Sequence, residues 1–446
     1  MSMQYRVVIF FFVAIAFLYF QVGEVRAVPS FARQTGFECN VCHTAFPELT
    51  AFGRDFKLRG YVLSIGAKPG FLPIAAMVQA SYSDADGLKD KIAPFDGQEN
   101  SQSAKYNLPQ QASVFYAGRI YDNLGGFVQV TYDGVENDMV LDLTDIRYAR
   151  SATPKGRSVV YGLTLNNNPT VEDLWNTTPA WGFPYASSSV APAPSAGTLI
   201  DGALGGQVGG VGAYIMWNDL LYAEASIYHS TRRGIMRPLG AGGEPDMVVS
   251  DLAPYWRLTI QGSRGPHSLS VGTYGLEAKV FLEGESGGPT DKFTDLALDA
   301  QYQYISAKHT LSVHTTWIHE DQDWNASFAA GATANTSNTL KTFKIDADYY
   351  YRAHIWTIGG SVAYFSTTGN DDLTLYSPAP LDGSRTGSPD SDGFIVEADF
   401  IYKERHKFIA QYRFYNKFNG AHSNYDGFGR DASDNNTLYL LAWLMF

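Results

Sequence analysis

The residues of this chain best suited to chemistry are Cys39, Cys42 and His43, in the run Cys39-Asn40-Val41-Cys42-His43, which holds both cysteines of the sequence. Two thiols at this spacing reach the two vinyl groups of a haem, and an imidazole directly after the second can ligate the iron. The same spacing serves a thioredoxin-like redox pair, half of a zinc site or a local disulfide. A redox pair sits after a strand in a βαβ unit, and no such pattern surrounds these residues. A zinc site needs a second pair of soft ligands, which the cysteine count denies and histidines would have to replace. The motif therefore predicts one covalent haem c, held by Cys39 and Cys42, with His43 as the proximal ligand of the iron.

The flanks predict a short helix opening at Pro47-Glu48-Leu49-Thr50, with Leu49, Phe52 and Phe56 on one face. Arg54, Lys57 and Arg59 are candidates to offset haem propionates, or form a solvated basic face. No Met or further His lies between His43 and Met77. The far side of the iron is thus closed by a residue of the later chain, or the site stays five-coordinate.

The elements that must position this motif repeat one form from residue 71 onward: about ten residues of alternating character, then a break. Thr342, Lys344, Asp346, Asp348, Tyr350 and Arg352 alternate with Phe343, Ile345, Ala347, Tyr349 and Tyr351. Asp295, Asp299, Gln301 and Gln303 stand against Leu296, Leu298, Ala300, Tyr302 and Tyr304, and Gln411 and Arg413 against Ala410, Tyr412 and Phe414. Tight turns near Asp122, Lys155, Asn218, Ser263, Ser306, Ala353 and Glu404 alternate with longer loops near 84–110, 134–138, 167–204, 231–250, 282–292, 321–338, 367–391 and 417–435.

That rhythm predicts an all-β fold: a 16-stranded antiparallel transmembrane β-barrel over residues 71–446, with both termini periplasmic and outer-membrane lipid around it. The last segment sets Leu438, Leu440, Ala442, Leu444 and Phe446 at alternate positions, as closing strands of such barrels do. Pairs such as Tyr214 and Trp217, Tyr255 and Trp256, or Trp356 and Tyr364 suit aromatic girdles, and core packing would also explain any one of them. The aromatic stretch from Asn166 through Trp175, Trp181, Phe183 and Pro184 either folds inward as a constriction or caps the rim.

At the other terminus Arg6 precedes an apolar run from Val7 to Phe20 and the polar stretch Gln21 to Arg26, the layout of a signal peptide over 1–27. Val25 and Ala27 place the mature start near Val28. The apolar run is shorter than the roughly 18 to 20 residues of a spanning helix. Cleavage removes two arginines and one glutamate, so the net charge of −12 becomes about −13. An acidic chain argues against a nucleic-acid partner.

Strand parity gives two candidates for the iron's sixth ligand. Met77 shares a face with Gln79 and Ser81, and His314 shares one with Ser312 and Thr316; of the two, Met77 lies nearer the haem motif in sequence. The outer loops carry Asp84, Asp86 and Asp90, then Glu320, Asp321 and Asp323, then Asp371 and Asp372. Such oxygen ligands suit ferrous iron transiently. Solvation and bridging of surface cations explain acidic loops better, and no loop is singled out as an iron site.

The run Pro29-Ser30-Phe31-Ala32-Arg33-Gln34-Thr35-Gly36, the Cys39–His43 motif, and Phe46-Pro47-Glu48-Leu49-Thr50-Ala51-Phe52-Gly53-Arg54-Asp55-Phe56-Lys57 together resemble the fused outer-membrane monohaem cytochrome-porin family of iron-oxidising bacteria. The match is dense over residues 29–61, and the order of a monohaem segment (28–70) before a porin-like barrel covers the mature chain. The family more often has Pro where this chain has Ala51, which touches the helix start and not the chemistry. A barrel of 16 strands leaves an interior wide enough for a plug, and the cytochrome segment 28–70 is available to be one. The resemblance implies extracellular Fe(II) as electron donor, transfer through one haem, and a periplasmic c-type cytochrome as acceptor. As an enzyme, such a chain is a ferrous iron:cytochrome c oxidoreductase. A porin that transports solutes past a haem-bearing plug, or electron export to extracellular acceptors, are the rival functions.

Overall fold

The computed structural model describes residues 29–63, 72–85, 104–230, 247–282, 285 and 287–446. The segment read as a signal peptide lies outside them, as do Asp86 and Asp90. Sixteen strands run from β1 (Ile74–Ala85) to β16 (Thr437–Met445). Each pairs antiparallel with its sequence neighbours, and β1 pairs with β16 from Met77↔Met445 to Ala85↔Thr437, so the sheet closes without an edge.

The period-2 pattern explains which way the strands face. On β10 (Thr290–Ile305), Asp295, Asp299, Gln301 and Gln303 are buried while Leu296 and Leu298 are exposed. On β12 (Ser337–Arg352), Asp346 and Asp348 are buried while Ile345 and Tyr349 are exposed. Outward rows of this kind recur: Tyr161, Leu163 and Leu165 on β5 (Val159–Asn166), Trp256, Leu258 and Ile260 on β8 (Ala253–Arg264), and Phe394, Val396 and Phe400 on β14 (Ser391–Tyr402). A polar inside and an apolar outside invert the pattern of a water-soluble sandwich and are stable only where lipid faces the wall. The fold is that of an outer-membrane porin-type barrel. No helix among the described residues is long and apolar enough to cross a membrane.

The turn and loop rhythm agrees with the strand order, with local shifts. The first described strand begins at Ile74, and β8 runs on to Arg264 so that its turn falls at Gly265 and Pro266. The loop before β12 carries a short helix, α4 (Asn325–Ala330). Of the acidic positions assigned to outer loops, Asp84 lies within β1, and Glu320 lies on β11 (His309–Asp323), buried and facing the lumen. Asp372 accepts backbone N–H groups from Ala334, Asn335, Thr374 and Leu375 and acts as a loop clasp.

The N-terminal segment holds three short helices, α1 (Pro29–Thr35), α2 (Cys39–Cys42) and α3 (Ala51–Leu58). The predicted helix starts later than expected, because Thr50 is its N-cap, with its hydroxyl accepting Gly53 N–H at 3.2 Å, which leaves Leu49 outside. Phe56 is buried against Phe31 and Tyr61, whereas Phe52 is exposed beside Phe37, so the two do not share a packed face. This segment is wedged inside the barrel at the end of the short turns: Asn40 Nδ2 reaches Glu404 in the turn between β14 and β15 (His406–Lys417), and Arg352 at the end of β12 donates to Thr44 O at 3.2 Å.

Candidate functional site

One helical turn carries both thiols. His43 ends it, its backbone N–H donating to Cys39 O at 2.8 Å. The His43 ring has Nδ1 3.2 Å from Glu48 O, which orients the imidazole and leaves Nε2 to bind a metal. Thr50 Oγ1 donates to Val41 O at 2.6 Å while it caps α3, tying the helix start to the cysteine turn. Gly53 makes the contact close: a Cβ there would stand 2.2 Å from Cys42 O. Burial pushes the Cys42 thiol up to about 11. A redox pair needs a thiolate stabilised near neutral pH, so this setting disfavours thioredoxin-like exchange.

The residue types present match those that hold a covalent haem. The donor set is complete on one side, with two half-buried cysteines and an imidazole whose second nitrogen is held by a carbonyl. Beside it, a cleft of about 20 Å³ is lined by Cys39, His43, Phe46, Ile401, Arg352 and Glu404, and a macrocycle needs this cleft to widen. Arg405, next in the turn, has a buried Nε with no hydrogen-bond partner, a donor suited to an acidic substituent.

The two candidates for the far side of the iron both face the lumen, as parity predicted. Met77 is buried near Phe46 and Ala45, and its sulfur accepts Trp443 Nε1 at 2.7 Å. His314 has both ring nitrogens engaged: Nδ1 with Asp346 Oδ2 at 2.7 Å, Nε2 with Gln301 Nε2 at 3.2 Å and Glu48 Oε1 at 3.4 Å. The structure brings His314 to the carboxylate of Glu48 and His43 to its carbonyl, on the two sides of one residue. Burial alone would raise Glu48, but the hydrogen bond and charge of His314, with Ser312 and Thr44, outweigh it and hold Glu48 at about 2.

Two of the three basic residues proposed for propionates serve elsewhere. Arg54 Nη1 donates to Gln303 Oε1 at 2.6 Å, Gln301 Oε1 at 3.1 Å and Leu49 O. Lys57 Nζ donates to Val171 O at 2.8 Å and Asp173 O at 2.7 Å and lies 4.5 Å from the Trp181 ring centre. Both fasten the plug, because a buried cation must find acceptors or be neutralised. Arg59 pairs with Asp55 at 2.7 Å on the same helix.

The aromatic loop folds inward. Asp173 accepts N–H groups from Trp175, Thr177 and Thr178 and faces Arg257 at 3.4 Å, and Arg257 pairs with Asp299 at 2.6 Å. Trp175, fully buried, donates to Gln261 at 2.9 Å. Further along, Leu199 N–H donates to Glu320 at 2.5 Å, and Lys344 pairs with Asp201 at 2.7 Å. Between this loop and β11 and β12 lies a cavity of about 110 Å³, bounded by Asn176, Thr316, His314, Lys344 and Asp346. The roles of Glu48, Asp173 and Arg257 escape sequence reading. Alternation signalled only that Asp299, Gln301 and Gln303 point inward.

No family model matches the sequence, and no curated protein matches it. Among solved structures, the chain is similar to a loop L8 deletion mutant of OmpT, an outer membrane protein of Vibrio cholerae: 12% identity, 84% of this chain and 98% of that one, TM-score 0.45. It is also similar to an anion-selective porin from Comamonas acidovorans, at 10% identity over 84% and 98% with TM-score 0.45. The outer membrane channel DcaP of Acinetobacter baumannii gives 13% identity over 84% and 96%, with TM-score 0.42.

Proposed function

We propose that the chain is an outer-membrane electron conduit, in which the plug carries one haem c on Cys39, Cys42 and His43 at the periplasmic mouth of the barrel. One observation carries this reading: the motif sits on a segment wedged into the lumen, with His43 Nδ1 tied to Glu48 O and Nε2 left for iron. When bound, the haem supplies a one-electron carrier. The chain's own residues hold it still. Thr50 and Gly53 lock α3 onto the cysteine turn, Asn40 and Glu404 join that turn to the wall, and Arg54 and Lys57 anchor the plug. The resemblance in residues 29–61 supports extracellular Fe(II) as donor and a periplasmic c-type cytochrome as acceptor.

The test is reduction of the oxidised, haem-loaded protein by Fe(II), followed by reoxidation with a c-type cytochrome. Protein purified without covalent haem overturns the reading, as does a haem that Fe(II) leaves oxidised. The midpoint potential of the haem separates electron uptake from electron export to external acceptors. The porin-type barrel favours a second function, solute passage gated by the plug. Solute flux into liposomes at rates typical of open porins, with a haem inert to Fe(II), would establish that function instead.

A further inference from the structure

We propose that Glu48, His314 and Asp348 form a binding site for one first-row divalent cation, clasped between the plug and the barrel wall. The three come from separate elements: the plug just before α3, β11 and β12. They offer ligand atoms that all lie within 4.8 Å of one another, and the three side chains are 1%, 2% and 1% exposed. A cation bonded tetrahedrally at about 2.0–2.2 Å sets its ligand atoms about 3.3–3.6 Å apart, so closure draws these side chains together by up to about 1.5 Å.

The independent sign is Asp348. Both of its buried carboxylate oxygens lack a close hydrogen bond; they face only the Ser361 hydroxyl on the paired strand and His314 Nδ1 at 3.7 Å. Even a protonated His314 sets one positive charge against three buried carboxylates, since Asp346 takes Nδ1 at 2.7 Å and Glu48 faces Nε2 at 3.4 Å. Arg54 bonds only the neutral acceptors Gln301, Gln303 and Leu49 O, so its charge also acts on Glu48, while Lys407 is paired with Asp399 at 3.0 Å and Glu397 at 3.4 Å; two positive charges still face three carboxylates. A buried carboxylate with no partner costs several kcal/mol, and a bound cation removes that cost.

The second shell is already built. Asp346 engages Nδ1 of His314 and fixes the ring, so that Nε2, facing Glu48, is the ligating atom, and Asp348, now 3.7 Å from Nδ1, swings toward it on binding. Gln301 Nε2, 3.2 Å from Nε2, occupies the cation's side of the ring and turns away on binding. The 110 Å³ cavity bounded by His314 and Asp346 leads in from the inward loop and has room for water ligands. One imidazole with two carboxylates favours Mn(II), Fe(II) or Zn(II) over Mg(II) or Ca(II). The site uses neither cysteine, so it stands or falls apart from haem attachment.

The test is Mn(II) binding to chelator-treated, full-length protein in detergent, followed by loss of the free Mn(II) electron paramagnetic signal; thiols compete poorly for this ion. One saturable equivalent is expected, weakened at least tenfold by Glu48→Gln and by Asp348→Asn, unchanged in the outer-loop variant Asp371→Asn, and not displaced by excess Ca(II). Heat-shifted gel mobility reports a folded barrel in each variant. Glu48→Gln leaves the wall untouched, so it decides the matter if Asp348→Asn fails to fold. Absence of a saturable equivalent, or affinity within twofold of wild type in folded Glu48→Gln, overturns the proposal.

Discussion

Replacing Gly53 by alanine tests whether the cysteine turn is positioned by α3. Inside a helix, Gly→Ala ordinarily stabilises by about 1 kcal/mol, because alanine has less backbone freedom to lose. Here the new Cβ would sit 2.2 Å from Cys42 O, 3.0 Å from its carbonyl carbon and 3.1 Å from Leu49 Cδ2. A C···O contact relaxes near 3.3 Å, so backbone must move by roughly 1 Å. Overpacking of this kind costs about 1–3 kcal/mol, more than the propensity gain. A net loss of about 1.4 kcal/mol makes the plug roughly tenfold more open. Because Cys42 is one of the two proposed haem attachment points and His43 follows it, the same shift displaces the imidazole. The assay is haem per chain by pyridine haemochrome, together with the rate of protease cleavage within the plug. Gly53→Ala should lower the first several-fold and raise the second about tenfold. Gly197→Ala, whose Cβ meets nothing within 4 Å, should change neither. Gly53→Ala behaving like Gly197→Ala would refute the packing argument.

Two other consequences follow from the buried charges. Asp173 is held below the usual carboxylate range: burial opposes this, but the Arg257 charge and backbone N–H groups outweigh it. Asp173→Asn should therefore destabilise the inward loop by about 1.5–3 kcal/mol, the cost of weakening its charge-assisted N–H bonds while Asp299 keeps Arg257 paired, with higher ion conductance in planar bilayers as readout. Lys57 is pushed down to about 7 by burial, with the Arg147 charge adding to it. The undocked plug thus binds more protons between about pH 7 and 10.5, so docking is weakest below 7 and strengthens through that window by up to about 1.4 kcal/mol per pH unit. Hydrogen exchange of α3 against pH should show this slope in wild type and lose it in Lys57→Met.

The barrel was legible in the sequence because lipid and lumen impose opposite chemistry on alternate residues. Asp346 and Ile345 announce their faces without help from any neighbour, and turns near Asp122, Asn218 and Ser306 mark the ends. The Cys39–His43 motif is as local as a turn, and its spacing is its signal. What could not be read are the groups whose partners are distant in sequence. Arg54 and Lys57 look like a basic helix face, yet they meet Gln303 and Asp173 O, more than a hundred residues away. Glu320 looks like part of an acidic loop beside Asp321 and Asp323, yet the strand runs on through it and turns it inward to the Leu199 N–H. Parity placed Met77 and His314 in the lumen, but parity says nothing about the Trp443 and Asp346 contacts that occupy them there.

The same contacts make the plug part of the barrel and not a cytochrome joined to it by a linker. Its helices have 7, 4 and 8 residues, and isolated helices shorter than about 12–15 residues are marginal in water. A segment of this size also buries too little surface to fold alone without a staple. Its apolar groups pack outward onto the wall: Phe31 stacks on Phe127, and Phe46 meets Trp443 edge-on. Two of its buried polar groups bond the barrel as well, Tyr61 to Asp145 and Glu48 to Gln303. Residues 28–70 produced alone in the periplasm should therefore be unfolded by circular dichroism and rapidly cleaved, whether or not their thiols have taken up haem. A cooperative thermal transition in that fragment would refute this dependence. It would also mean that the barrel merely receives a finished domain, which the positions of Glu48, Arg54 and Lys57 against the wall and inward loop argue against.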